Sequence, residues 1–204
     1  MPSPEDLDAD GAARIEGTVV EQGVGYAPDH CFGHAVGHDL VPEGAAGSQW
    51  FRLRDASGNE RIAGIHVSGS EPLAITEGET IRAVYHRLPF FGAAESLLLT
   101  RVNGDVLTWV LNTATAPIPG PAGVSIELGR RVGRDDYACG HDDLHEVRVQ
   151  VNEERGSIPF HGAAQVGGMR FVNAGAGDTF YPDACHPADA PSGPWFFIAA
   201  TPQP

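Results

Sequence analysis

The sequence predicts an all-β protein, an antiparallel sandwich or barrel arranged as two duplicated small β units. Three observations carry this reading. Apolar and polar residues alternate over short runs, as in Phe51-Arg52-Leu53-Arg54 and Val147-Arg148-Val149-Gln150-Val151, which is the pattern of strands with one buried face. Glycine and proline contribute 26 and 16 residues and punctuate the chain with turns. No segment keeps a helical apolar period beyond about two turns.

Residues 1–12 are acidic, proline-rich and weakly hydrophobic, and read as a flexible leader. A first unit follows over 13–113. It opens with a strand at 14–21 and a long glycine-rich loop over 22–47, of a length that in compact domains usually serves a function. Strands at 50–54 and 61–67 flank the turn residues Asp55-Ala56-Ser57-Gly58-Asn59, and another strand runs over 80–86. Ser96–Val102 and Asp105–Leu111 flank Asn103-Gly104, a dipeptide that accepts the two positive φ angles of a type I′ hairpin turn.

Residues 114–123 contain Pro117, Pro119 and Pro121. Each proline removes a backbone donor, so this stretch reads as a stiff linker. The second unit, 124–204, begins with a short strand at Val124–Leu128. The Arg130-Arg131 to Asp135-Asp136 stretch reads as a solvated loop. Strands are expected at 144–151, 157–161, 169–172 and 195–200. The halves echo each other in order: a Cys/His stretch, an alternating strand, a strand ending in His66 or His161, and a strand beginning at Trp109 or Trp195.

The formal charge is −14, from 27 acidic and 13 basic residues. A phosphate backbone is repelled by such a chain, which argues against a nucleic-acid partner. No run approaches the roughly 20 apolar residues of a membrane-spanning helix, so no transmembrane segment is expected. The leader suits a tether, and the protein is expected to be exported: periplasmic, lipid-tethered or extracellular. Three cysteines allow at most one internal disulfide. Cys139 and Cys185 are the pair expected to bridge, closing a loop worth roughly 4 kcal/mol on a chain-entropy argument.

The most distinctive chemistry lies in two similar stretches. Cys31-Phe32-Gly33-His34-Ala35-Val36-Gly37-His38 and Cys139-Gly140-His141-Asp142-Asp143-Leu144-His145 both hold a cysteine, a Gly-His step or a near equivalent, and a second histidine four positions on. Thiolate and imidazole favour zinc or copper. Histidines four apart on an extended strand are separated by about 13 Å, so neither pair alone makes a site. The candidate metal set therefore combines Cys31, His34 and His38 with His141 and His145. The plainer alternative is that these imidazoles hydrogen-bond to nearby carboxylates and carbonyls. By parity His145 falls on the buried side of its strand with Val147, where it needs a partner.

No G-x-S-x-G, H-E-x-x-H or P-loop pattern is present. The expected function is an exported, non-enzymatic β-rich binding or surface-structural module that carries the Cys/His stretches as a transition-metal site and takes a protein or carbohydrate partner. Two alternatives stand beside it. One is a metal-dependent enzyme on the Cys/His loops, with Asp142 or Asp143 orienting ligands. The other is a carbohydrate-binding module that uses exposed aromatics, with Trp50 the candidate platform because Arg52 and Arg54 share its parity.

Overall fold

A computed structural model describes residues 12–24, 31–36, 48–67, 73–87, 95–114, 120–137, 140–178 and 193–203. The fold is all-β, with no helix among the described residues. Among the described residues thirteen strands follow in chain order: β1 (Ala12–Val24), β2 (Cys31–Val36), β3 (Ser48–Arg54), β4 (Glu60–Val67), β5 (Thr80–Arg87), β6 (Glu95–Arg101), β7 (Val106–Ala114), β8 (Val124–Tyr137), β9 (Gly140–Val151), β10 (Glu154–Ile158), β11 (Gly162–Val166), β12 (Met169–Gly177) and β13 (Trp195–Pro202).

They form one hydrogen-bonded sheet in the order β10-β9-β12-β13-β7-β6-β5-β1-β3-β4-β2, with β8 beside β9 and β11 beside β12. All pairings are antiparallel except β2 with β4, and the sheet does not close into a barrel. The two halves of the chain meet in the β7–β13 ladder, from Trp195↔Ala114 to Ala200↔Trp109.

Two apolar clusters lie on opposite faces of this sheet. Leu97, Leu99, Val110 and Ala199 point into the first, with Phe51, Leu53, Ile81 and Tyr85. Trp109, Leu111, Ile198 and Ala200 point into the second, with Val147, Val149, Ile158 and Phe171. Strands β6, β7 and β13 are thus covered on both sides. That explains their nearly continuous apolar runs, Leu97-Leu98-Leu99 and Phe196-Phe197-Ile198, where a one-sided strand would alternate.

Several expectations change. The stretch 31–36 lies in the long loop expected at 22–47, yet it is strand β2, paired in parallel with β4 from Cys31↔Ile62 to Val36↔Val67. Parallel pairing leaves no local hairpin signal in the sequence. The Arg130–Asp136 stretch is not a solvated loop but the far half of β8. Its charges pair across to β9, Arg130 with Glu146 and Arg131 with Asp143, at 2.7 and 2.8 Å. Register shifts at Leu128/Arg131 and Arg131/Gly133 absorb the extra residues.

The Asn103-Gly104 turn is also different. Gly104 has φ +95°, but Asn103 is not in the left-handed region. The Gly104 N–H bonds to the Arg101 carbonyl (3.0 Å), and the Arg101 N–H to that of Asp105 (2.8 Å). This is a three-residue loop, a type I turn closed by a glycine bulge, because Val102 joins the turn. The type I′ turn lies instead at Gly167-Gly168, φ +56° and +73°, between β11 and β12.

Of the leader, residues 1–11 lie outside the described residues, as do 115–119 of the proline-rich linker.

Candidate functional site

The outer face of β8, β9 and β10 carries the candidate site. Register pairs Glu127 with Arg148 and Ser125 with Gln150, while Arg155 faces Gln150 from β10. Because Val147, Val149 and Val151 occupy the core face of β9, alternation sends Arg148 and Gln150 outward. A recess of about 460 Å³ opens there, lined by Ser125, Glu127, Arg148, Val149, Gln150, Arg155 and Gly156. Gly156 keeps its floor thin, since a Cβ at that position would run into Val166 behind it.

Gln150 organises the polar groups. Its Nε2 donates to the Asn152 carbonyl (2.6 Å), and its Oε1 accepts from Arg155 Nε (3.0 Å). Arg155 is therefore held through Nε, and it forms no ion pair among the described residues. Arg148 Nη1 lies 3.7 Å from Glu127 Oε1, with both side chains mostly exposed, so that pair is weak. Nearby, Arg130 and Ser157 hydrogen-bond to Glu146. The Arg130 bond is the main reason the Glu146 carboxyl sits below the usual range, against the opposing effect of burial. The recess therefore presents two lightly committed guanidinium groups beside amide, hydroxyl and carboxylate groups. That set can bind an anionic group and hydroxyls.

No protein-family model, curated protein or solved structure matches the chain. The site must be read from its own geometry.

At the other end of β9, Asp142 is fully buried. Its Oδ2 accepts the Trp195 indole N–H at 2.5 Å and its Oδ1 the Asp178 N–H at 3.0 Å. Asp178 Oδ1 in turn accepts the Asp143 N–H (3.0 Å). These bonds tie β9, β12 and β13 together where β9 and β12 meet at Leu144↔Gly177, which gives Asp142 a structural role.

The candidate metal ligands are distributed as follows. Cys31 and His34 lie on β2 and His141 and His145 on β9, and no ladder joins these strands. His38, Cys139 and Cys185 lie outside the described residues. The His141 side chain is exposed. His145 is half-buried, its Nδ1 3.1 Å from the Gly129 carbonyl. A carbonyl can only accept, so Nδ1 carries a proton, and in the neutral ring Nε2 presents the lone pair. That Nε2 is buried without a hydrogen-bond partner among the described residues. No group of three or more metal-ligating side chains occurs among those residues.

Trp50 shares the outer face with Arg52 and Arg54, as its parity requires, but its ring lies across the backbone of Gly23. A Cβ there would fall 2.7 Å from three indole atoms. Trp109 covers Gly120 and Trp195 covers Gly175 in the same manner. All three tryptophans thus have a ring surface occupied by glycine backbone, a packing role that strand glycines invite. The recess itself was not legible in the sequence, since Gln150, Arg148 and Arg155 read only as polar residues of alternating strands.

Proposed function

We propose that the chain is an exported, non-enzymatic β-rich binding module that takes an acidic saccharide on the outer face of β8, β9 and β10. The observation carrying this is the oriented Arg155 guanidinium, free of carboxylate partners among the described residues, beside Arg148 in a 460 Å³ recess. A ligand carboxylate matches the planar donor fork of arginine. Ser125, Gln150 and Glu127 would take hydroxyls. Binding here relies on hydrogen bonds, because no aromatic side chain lines the recess among the described residues.

Titration calorimetry with a uronate trisaccharide against a neutral one tests the reading. Heat with the uronate, lost in Arg155→Ala, supports it. Equal binding of both sugars contradicts the acidic specificity, and no binding of either contradicts the module. Export is proposed from the tether-like leader and would be accompanied by a Cys139–Cys185 bridge, so thiol counting on the native protein should find one reactive thiol; three would contradict it.

A zinc or copper site is the second reading, favoured by the orientation of His145. Its Nδ1–H bond to a backbone carbonyl is the arrangement that fixes a metal-binding imidazole. Cys31, His34, His38 and His141 are the partners proposed to complete it. Native mass spectrometry with one equivalent of zinc or copper should show a retained ion, absent in His145→Ala. Failure to retain either ion removes this reading.

A further inference from the structure

We infer that the outer edge of β8, at Val124–Leu128, is an interface for a second copy of this chain. This inference rests on the backbone edge of β8 rather than on the recess, although Ser125 and Glu127 also line the recess. Among the described residues β8 pairs with β9 alone, so its other edge carries unsatisfied backbone groups, a template for another strand. The register over Val124–Leu128 is unbroken, from Val124↔Val151 to Leu128↔Val147, before the first shift beyond Leu128.

Which groups face outward follows from one bond. The Asn152 N–H donates to the Gly123 carbonyl at 2.7 Å. In an antiparallel ladder that bond makes Val124↔Val151 a non-hydrogen-bonded pair and Ser125↔Gln150 a hydrogen-bonded one. Ser125 and Glu127 therefore spend their backbone groups on β9, while those of Val124, Ile126 and Leu128 point to the free edge. The Val124 N–H is taken by the Pro121 carbonyl (3.1 Å). Among the described residues its C=O and both groups of Ile126 and Leu128 have no partner.

The side chains are self-complementary about Ile126. In an antiparallel pair centred there, Ile126 faces its copy, Val124 faces Leu128, and Ser125 faces Glu127. The apolar residues all lie on the core face, where Val124, Ile126 and Leu128 are only partly buried against the second cluster, and a neighbouring strand would complete their burial. Ser125 and Glu127 are exposed on the outer face, where hydroxyl and carboxylate can hydrogen-bond across the two-fold axis. The outward backbone groups supply about four bonds in this register alone. A one-residue slip would set apolar against polar side chains and misalign the donors.

The net charge of −14 per chain opposes association, so the dimer should strengthen as salt screens the repulsion. Sedimentation velocity on the full chain, from micromolar to millimolar concentration at low and high salt, is the test. A reversible dimer is expected, favoured by salt, with the Ile126 and Leu128 amides protected from exchange only where the dimer is populated. Ser125→Asp places a carboxylate opposite Glu127 twice and should weaken the dimer about tenfold, whereas Ser125→Arg should tighten it. Ile126→Pro should abolish it, since that N–H faces outward and edge prolines are tolerated there; circular dichroism checks that the fold is retained. A chain that stays monomeric throughout, or a dimer indifferent to both Ser125 substitutions, overturns the inference.

Discussion

Replacing Trp195 by Phe isolates the contribution of the buried Asp142 knot. The phenyl ring can still cover Gly175, but the indole N–H that donates to Asp142 Oδ2 at 2.5 Å disappears. Asp142 has no exposed surface, so water cannot replace the donor. The Asp178 N–H serves the other oxygen. Losing a hydrogen bond to a charged group costs about 1.5–3 kcal/mol, and the lost ring area about 1 kcal/mol more, giving a destabilisation of about 2–4 kcal/mol. Trp50→Phe is the control, because that half-buried indole loses mainly area over Gly23 and should cost about 1 kcal/mol. Urea unfolding reads both through the midpoint, with the slope unchanged if the transition stays two-state. If Trp195→Phe proves no more damaging than Trp50→Phe, the knot does not hold the β9–β12–β13 junction and the argument fails.

The adjacent glycines of the β11–β12 turn should respond unequally. Gly168→Ala meets only the strain of a positive φ, with no atom within 4 Å of the new Cβ, and should cost about 1–2 kcal/mol. Gly167→Ala adds a 2.5 Å approach to Val151 Cβ and should cost about 2–4 kcal/mol, measured by the same unfolding midpoints. Asp55 caps the β3–β4 turn, and its carboxyl is held below the ordinary value first by the Asn59 side chain, then by backbone N–H groups of Asn59, Ser57 and Gly58. Because the folded value is the lower one, its stabilisation is complete above the unfolded value of about 3.9 and disappears as pH falls through the folded value. The stability gap between wild type and Asp55→Asn should therefore close on acidification, and a gap independent of pH contradicts this reading of the turn.

Legibility from sequence followed the balance of local and long-range forces. β3, β4, β5 and the core half of β9 were readable because alternation reports one buried face directly. β2 was not, since Cys31–Val36 is glycine-containing and finds its partner in parallel, about thirty residues on. The charged half of β8 looked like solvent-facing loop because its pairing partners, Glu146 and Asp143, sit across a ladder that the local pattern does not announce. The Asn103-Gly104 turn type depended on whether Val102 ended the strand or joined the loop, a one-residue difference that alternation does not resolve. Among the candidate site residues, the need of His145 for a partner was legible by parity, and Gly129 supplies one. Trp50 was placed on the correct face, but its contact with Gly23 depends on cross-strand register. The recess depends on register in the same way, because Arg148, Gln150 and Arg155 converge only once β8, β9 and β10 are aligned.

The most direct measurement is a backbone amide chemical-shift map of the labelled protein titrated with a uronate trisaccharide. Saturable shifts should cluster at Ser125, Glu127, Arg148, Gln150 and Arg155 and vanish in Arg155→Ala. Shifts centred instead around Trp50, or a spectrum unchanged at millimolar ligand, would contradict the assignment of this face as the binding surface.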